Sequence, residues 1–445
     1  MTDAPSKKIH ADPTKDFFVD MITRDIALSD CIFDLVDNSV DGARKVAEEN
    51  NQSSSKSFSG YTVDIIFNRN QFRIADNCGG ISLSDAIDYA FHFGRRHDSP
   101  IDAKGSIGLY GIGMKRALFK IGSKATIKSE TEEDSYEVLI DVPAWKNQTD
   151  WDFDYQDKEQ SGAPGTEICV TNIHPSIANS FADPSFETEL IKSMSRDYAF
   201  FVKNGLSVKI NNKEIPQYDY TLKQSDDIKP GVEIYEDEGV KVTLKAGIMD
   251  ELREEIPDEL RPDKVDRFGW FVICNDRVVL AADKSEKTIW GDANYKVWHP
   301  QYNGFAGLAF FESDDPKKLP WTTTKRAVDS SDPLYRRALA KMKRLTDVFS
   351  SYSNERKGSP DTYKKSEQSA KSVAVDDLQQ SMEMSFPKNK TVQPARKYVT
   401  ISYRKPRDEV GQIKEHLSSP ALSAKDVGIY TFEYYRKEEL GDFEE

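Results

Sequence analysis

Alternating apolar and polar positions divide the first part of the chain into helices and short strands. Residues 25–49 repeat apolar side chains at helical spacing, and their stripe consists of Ile32, Leu35, Val36, Val40, Ala43 and Val46. YTVDIIF and QFRIAD predict two strands joined by an Asn-Arg-Asn turn. LSDAIDYAFHFG predicts a short helix closed by Gly94, and a glycine-rich stretch then leads into a helix through Lys120. SKATIKS, SYEVLIDV and GTEICVTNI predict three further strands.

From about residue 180 the pattern starts again, which predicts a second unit. A helix (FETELIKSMSRDYAFFVKNG) precedes the strand segments LSVKIN, VKVTLKAG, GWFVICN and GFAGLAFF, and a long amphipathic helix follows. Residues 351–395 are rich in Ser, Lys, Gln and Asp, which is typical of a flexible linker. KYVTISY and GIYTFEYY recover strand character. We therefore expect an α+β protein with domains at 1–178 and 179–350, a linker at 351–395 and a small unit at 396–445.

The composition is that of a globular protein with room for more than one core. The chain has 445 residues, of which 38% are hydrophobic and 31% charged. No eighteen apolar residues run together, so we expect no membrane span. The polar start lacks the apolar core of a signal peptide, and four scattered cysteines lack the spacing of a zinc site or a disulfide framework. These features predict reduced thiols and a cytoplasmic location.

The net charge of −14 argues against a nucleic-acid binder that works through its overall charge. One segment differs, because Lys388 to Arg407 carries seven basic residues and no acidic one. Two interpretations of this segment stay open. It is either a solvated linker face or a small docking patch for DNA or an acidic partner.

The stretch GSIGLYGIGMK, residues 105–115, is typical of a loop that faces a phosphate. It is not a Walker loop, because Met114 separates Gly113 from Lys115 and no hydroxyl residue follows. It also fails the Rossmann pattern, which requires a glycine where Arg116 stands. A structural glycine turn is the alternative for this stretch taken alone.

Polar residues in three other segments add to this signal. Asp34, Asn38 and Asp41 lie on one face of the predicted helix, because they recur at i, i+4 and i+7. Asp76 ends a predicted strand and precedes a glycine pair, which permits a tight turn close to a flat ligand. Thr166 follows GAPG at the start of another strand.

In chain order these four motifs resemble the GHKL ATPase superfamily, which includes the DNA gyrase B subunit, the heat-shock chaperone of the same fold, histidine kinases, MutL and MORC proteins. The resemblance covers about residues 20–175. DLVDNSVDGA and SIGLYGIGMKRALFKIGSKATIKS are most similar to MORC and MutL proteins. The resemblance implies a Bergerat-type ATP-binding α/β sandwich, and WFVICNDRVVL resembles a transducer-like α/β domain that follows it.

The resemblance also implies roles for individual residues. Asn38 would hold Mg²⁺ beside the phosphates, Asp76 would accept a hydrogen bond from the adenine amino group, and Thr166 would support that contact. Lys325, in LPWTTTKRAVD, matches the lysine that the transducer domain presents to the γ-phosphate, and a surface lysine in a Thr-rich loop stays open as the alternative. The implied nucleotide-binding set also contains Asp41, Gly80, Gly108, Tyr110, Gly111, Ile112, Gly113, Met114 and Lys115. For Lys115, a solvated position on the helix stays open as the alternative.

The sequence departs from the family pattern at two positions. Asp34 stands where the family has its catalytic Glu, and its side chain is shorter by one carbon–carbon bond, about 1.5 Å. Since general-base catalysis depends on reach, we expect slow hydrolysis of ATP rather than none. Cys78 stands where the family has the first glycine of its Asp motif, so the turn there is expected to be re-phased on Gly79.

The leading hypothesis is a slow ATPase that dimerises when ATP binds and acts as a clamp or switch in a DNA-associated process, such as genome maintenance or defence against mobile DNA. Its expected partners are ATP, Mg²⁺, a second copy of the chain, DNA through Lys388–Arg407 and an effector protein, with no membrane. Two alternatives stay open: a chaperone-like ATPase that remodels proteins, and a nucleotide switch with negligible hydrolysis. A histidine kinase fits worst, because no histidine lies on a dimerising helix ahead of the ATPase domain.

Overall fold

A computed structural model of the chain describes residues 13–49, 57–94, 106–108, 111–249, 265–292, 295–358, 360–388, 399 and 401–440. It divides into two compact units, residues 1–388 and 389–445. The larger unit combines sheets with packed helices, so the predicted α+β class is confirmed. Of the helices described, none is both long enough and apolar enough to cross a bilayer.

The first sheet of the larger unit has eight strands. They are β1 (Thr62–Phe67), β2 (Gln71–Asp76), β3 (Gly122–Glu130), β4 (Ser135–Asp141), β5 (Tyr155–Asp157), β6 (Gly165–Ile173), β7 (Ser207–Ile210) and β8 (Lys213–Glu214). Their order across the sheet is β5-β4-β3-β6-β2-β1-β7-β8. The accompanying helices are α1 (Lys15–Arg24), α2 (Leu28–Glu49), α3 (Leu83–Asp85) with a π-helical turn at Ala86–Ala90, α4 (Gly113–Ile121), α5 (Val142–Lys146), α6 (Pro175–Ala182), α7 (Pro184–Asp197) and α8 (Ala199–Lys203).

The apolar pattern of the sequence explains how these elements pack. The strands β1 and β2 bury every second residue, among them Val63, Ile65 and Phe72, as expected for a sheet with one face on the core. The apolar stripe of α2 is buried except for Val46, which is partly exposed, and α2 packs against α4. The predicted helix at 25–49 and the strands on either side of the glycine stretch are confirmed.

The first sheet extends beyond the predicted domain boundary at residue 178. The segment LSVKIN, which we assigned to the second domain, forms β7 and pairs in parallel with β1, with Val63 opposite Val208. An alternating pattern identifies a strand but does not identify its partner, because parallel partners lie far apart in sequence. The helices α7 and α8 therefore precede β7 and β8, the last two strands of the first sheet, in the sequence.

The second part of the larger unit is built on a five-stranded sheet. The described residues of this part contain seven strands, of which five form the sheet. The strands are β9 (Thr221–Gln224), β10 (Gly231–Asp237), β11 (Val240–Ile248), β12 (Gly269–Cys274), β13 (Arg277–Asp283), β14 (Phe305–Glu312) and β15 (Lys371–Ala374). The helices are α9 (Pro333–Gly358) and α10 (Pro360–Ser369). The sheet order is β10-β11-β14-β12-β13, and β15 pairs separately with β9. The helix α9 packs against β11 and β14. The strands β12 and β13 form a hairpin whose two turn residues, Asn275 and Asp276, have φ values of 46° and 68°.

Two expectations for the C-terminal third are wrong. Most of the predicted linker at 351–395 is structured: α9 continues to Gly358, α10 follows, and Arg356 pairs with Glu367 at 2.6 Å in a buried position. The segment was predicted to be a linker because it is rich in polar residues, and composition alone does not show that two of them form a buried pair. GIYTFEYY lies inside α12 (Ala424–Leu440), which follows α11 (Arg407–His416) in the smaller unit. Its aromatic and β-branched residues favour a strand by propensity, but the flanking residues favour a helix.

Candidate functional site

The polar residues singled out from the sequence converge on two adjoining cavities of the larger unit. The larger cavity, about 580 Å³, lies between α2, α4 and the loop that carries Lys325. It is lined by most of the predicted set, namely Asp34, Asn38, Asp41, Gly80, Gly108, Gly111, Ile112, Gly113, Met114, Lys115 and Lys325. The smaller cavity, about 110 Å³, is lined by Asp76 and Thr166 and shares Asn38, Gly80 and Met114 with the larger one. Tyr110 lies outside the described residues.

The smaller cavity is organised around the carboxylate of Asp76. Its Oδ1 accepts backbone N–H bonds from Cys78 at 3.0 Å and Thr166 at 3.2 Å, and its Oδ2 accepts the Ser39 hydroxyl at 2.6 Å. Burial raises the pKa of Asp76, and these three donors oppose that shift. An ionised carboxylate has about four acceptor sites, so one remains for a donor in the cavity.

The turn after Asp76 brings the backbone close to its neighbours. Gly79 and Gly80 have φ values of +91° and +70°, which favour glycine. A Cβ on Gly80 would lie 2.0 Å from the carbonyl oxygen of Glu130. Cys78 is buried and has no positive φ, so the residue that departs from the family pattern occupies a position where the turn does not require glycine.

Asn38 is the exposed residue in a buried run of α2. Residues 31–37, 39 and 40 are buried, whereas the Asn38 side chain faces the cavities. Within the described ranges no group hydrogen-bonds its amide, so its oxygen is available to a ligand. No cluster of three His, Cys, Asp or Glu side chains that could hold a metal is found in the described part of the chain. This donor set fits Mg²⁺, which is often bound through one or two protein oxygens together with substrate phosphates and water.

The Asp41 carboxylate accepts hydrogen bonds from backbone N–H groups of the glycine stretch, so these groups are not available to a phosphate. The carboxylate accepts the N–H of Ile107 at 2.7 Å and of Gly108 at 2.5 Å. The Gly108 N–H, which we expected at a phosphate, is therefore bonded to Asp41 in this structure. The start of α4 offers other donors, since its N-cap residue Ile112 makes no side-chain capping bond. Uncapped N–H groups and the helix dipole favour an anion there.

Lys115 lines the cavity but is not solvated. Only 1% of the residue is exposed, and its ammonium donates to the carbonyls of Ala90, at 2.7 Å, and Gly111. Burial lowers the pKa of Lys115 to about 7. The interpretation of Lys115 as a solvated helix residue is wrong, and its bonds join the π-helical turn to the end of the glycine stretch.

Asp34 lies at the far end of the larger cavity between two cations. It is 3% exposed, its Oδ2 accepts a bond from the Arg116 guanidinium, and its Oδ1 lies 3.9 Å from the Lys325 ammonium. Burial raises the pKa of Asp34, with Lys325 and Arg116 acting in the opposite direction. A Cβ on Gly113 would lie 3.2 Å from the Asp34 Cβ, so a glycine lets α4 approach α2 here.

A buried network joins this end of the cavity to the second sheet. Asp37 Oδ2 lies 3.2 Å from Lys325 Nζ, and its Oδ1 accepts bonds from Arg277 at 3.0 Å and Tyr198 at 2.6 Å. The Arg277 guanidinium also lies over the Tyr198 ring, 4.4 Å from its centroid. Burial alone would raise the pKa of Asp37, but the two cations and the hydrogen bonds outweigh it and lower that pKa. Asp37 thus fixes two cations of the second part on α2.

Sequence reasoning missed several residues of this site: Ser39, Asp37, Arg116, Tyr198 and Arg277. One signal was present, because Asp37 lies directly between the apolar residue Val36 and Asn38, and an acidic residue next to the apolar stripe of a helix needs a partner if it is buried. Arg277 was a second signal, because it is the basic residue of the otherwise largely apolar strand pair WFVICNDRVVL. Neither pattern identifies the partner, which comes from another part of the chain.

The segment that carries most of these residues is similar to a known family. Residues 26–169 match the model of the family described as histidine kinase-, DNA gyrase B- and HSP90-like ATPases. This segment, about a third of the chain, is similar to the GHKL ATPases. The matched segment carries Asp34, Asn38, Asp76 and Thr166, whereas Lys325 lies outside it. No curated protein matches the chain.

This match supports ATP as the ligand of the two cavities. GHKL proteins are typically ATPases, and their domain implies ATP binding, usually with Mg²⁺. The GHKL domain is followed in this chain by a second sheet with its own helices, as the predicted fold class requires. The similarity to MORC and MutL proteins in particular stays a prediction.

Proposed function

We propose that the protein is a slow ATPase that binds Mg-ATP across the two cavities. The observation that carries the proposal is the convergence of Asp76, Asn38 and the start of α4 on adjoining cavities, in the domain that matches the GHKL family. Adenine would occupy the smaller cavity, where Asp76 retains an acceptor site for its amino group. The phosphates would lie in the larger cavity near α4.

The residues at the phosphate end support hydrolysis. Asp34 would accept the proton of the attacking water, and Lys325 would stabilise negative charge on the γ-phosphoryl group. Asn38 would hold Mg²⁺, which supplies charge neutralisation to the phosphates when bound. Asp34 is shorter than glutamate, so we propose a low rate. The same observation keeps a nucleotide switch with negligible hydrolysis as the second candidate.

Calorimetry and single-turnover hydrolysis test this proposal. The wild-type protein should release or take up heat with Mg-ATP, and a Lys325→Ala variant should lose more in hydrolysis rate than in ATP affinity. Absence of any binding heat would overturn the assignment. ATP binding without measurable turnover would favour the switch over the ATPase.

We further propose that ATP binding drives dimerisation and that the output acts on DNA or an effector protein. The resemblance to MORC and MutL proteins supports dimerisation, and the basic segment Lys388–Arg407 supports DNA, although residues 389–398 and 400 lie outside the described ones. Gel filtration with a non-hydrolysable ATP analogue should show a dimer. Turnover stimulated by DNA and weakened by salt would support a DNA role, whereas stimulation by unfolded protein would favour the chaperone-like alternative.

A further inference from the structure

Arg116 contacts the proposed catalytic carboxylate directly, although no motif assigned it a role. It lies on α4, one turn after Gly113, and its Nη2 donates to Asp34 Oδ2. Its side chain is 14% exposed and that of Asp34 is 3% exposed, and both line the larger cavity. Bulk solvent therefore screens this contact less than it screens a surface ion pair.

The second cation near Asp34 is engaged elsewhere. Lys325 Nζ lies 3.2 Å from Asp37 Oδ2 but 3.9 Å from Asp34 Oδ1. Among the side chains that the structure describes, Arg116 is thus the direct hydrogen-bond donor to Asp34. One carboxylate oxygen, Oδ2, is held by this bond, and the other, Oδ1, is left for a water molecule.

Backbone geometry keeps Arg116 within reach of Asp34. The α4 backbone passes so close to α2 that a Cβ on Gly113 would lie 3.2 Å from Asp34. Arg116 Nε is buried and has no hydrogen-bond partner in the described structure. The guanidinium thus retains a buried N–H without an acceptor among the described residues, and an unmet buried donor is costly.

We propose that Arg116 is a positioning residue that compensates for the short side chain of Asp34. The inference rests on the proposed ATPase function. The bond to Oδ2 fixes the carboxylate so that Oδ1 accepts the proton of the attacking water. In that step the water oxygen bonds to the γ-phosphorus, the bond from phosphorus to the bridging oxygen of ADP breaks, and the proton passes to Asp34. A planar guanidinium fixes orientation better than a lysine ammonium does.

Single-turnover hydrolysis and calorimetric ATP binding should be measured for Arg116→Gln, Arg116→Lys and the double variant Asp34→Glu with Arg116→Gln. We expect Arg116→Gln to slow hydrolysis by about 10–100-fold, because small misplacements of a catalytic group have effects of that order. Its ATP affinity should change by less than about threefold. Arg116→Lys should recover only part of the rate, and the longer glutamate of the double variant should recover most of it.

The pH profile separates positioning from a structural role. Loss of the Arg116 charge raises the pKa of Asp34 further, so the acidic limb of the rate profile should move to higher pH in Arg116→Gln. A matched control is Arg73→Gln, which breaks an arginine–glutamate pair on the sheet outside both cavities and should leave the rate unchanged. The inference about Arg116 would be overturned if the wild type is active and Arg116→Gln changes neither its rate nor its pH profile. A double variant without rescue would also overturn it. Neither result would contradict the proposed ATPase function. An inactive wild type would overturn the proposed hydrolysis itself.

Discussion

The two ends of the candidate site are built in different ways. At the smaller cavity one carboxylate, Asp76, is held by two backbone amides and the Ser39 hydroxyl, which come from the turn after β2, from β6 and from α2. At the other end, buried charges from four elements meet around Asp34 and Asp37. The first arrangement forms within one domain, whereas the second requires the two parts of the larger unit to dock.

This difference has an energetic basis. Buried charges lose hydration, and they are tolerated only when partners are placed accurately. Asp37 meets this condition through Lys325 and Arg277, which come from the second part of the chain. We therefore expect the proposed hydrolysis at the larger cavity to depend on docking of that part, and the proposed base recognition at Asp76 not to depend on it.

The largest effect is expected at the proposed catalytic carboxylate, Asp34. Asp34→Asn keeps an oxygen for Arg116 but removes the proton acceptor, so single-turnover hydrolysis should fall by about 10²–10⁴-fold. ATP affinity, measured by calorimetry, should stay close to that of the wild type. Unchanged turnover would remove Asp34 from this role.

The second prediction tests the coupling between the two parts. Arg277→Met leaves Asp37 with an incomplete set of partners, and breaking one side of a buried pair lowers the free energy of unfolding by about 3–5 kcal/mol. Urea denaturation measures this change. The control is Arg337→Met, which breaks an exposed pair with Asp237 and should leave the denaturation midpoint nearly unchanged. If Arg277→Met and Arg337→Met lowered the free energy of unfolding by the same amount, the buried network would contribute no more to stability than the exposed pair, and the prediction would be wrong.

The third prediction separates ligand recognition from stability at Asp76. Asp76→Asn keeps one oxygen for the two backbone amides but loses the charged acceptor, so ATP affinity should fall by about 10–100-fold, which corresponds to about 1.5–3 kcal/mol. Calorimetry at pH 7 measures this loss.

The same variant should not destabilise the nucleotide-free protein. Because burial raises the folded-state pKa of Asp76 above its unfolded value, stability is lost as pH rises through the folded-state value. Asparagine does not ionise, so the variant does not lose stability as the pH rises. Its free energy of unfolding at pH 7 should therefore equal or exceed that of the wild type. A less stable variant would show that the Asp76 charge supports the fold.

The smallest effect is expected for the residue that departs from the family pattern. Cys78→Gly should lower the free energy of unfolding by about 1 kcal/mol, because glycine loses more backbone entropy on folding and leaves a small gap in the core. The change in ATP affinity should be below about threefold, since Cys78 binds Asp76 only through its backbone N–H. A clear gain in affinity would show that the cysteine distorts the turn.

The sequence was informative where function depends on local pattern. Asp34, Asn38 and Asp41 lie on one helix face, and Asp76 with Gly79 and Gly80 forms one strand end, so spacing alone predicts their grouping. The partners of Asp37 could not be predicted this way. Arg277 is 240 positions from Asp37 in the sequence. The strand pattern around Arg277 indicates only that this position is buried, and it does not identify the partner.

The parallel pairing of β7 with β1 determines how far the N-terminal domain extends. A fragment that ends at residue 178 would expose the full edge of β1, with its row of unpaired backbone groups, and such edges promote aggregation. A fragment that continues through Glu214 retains that strand partner and also the Tyr198 hydroxyl on Asp37. Limited proteolysis of the intact protein should accordingly release a soluble piece that ends after Glu214 and not near residue 178.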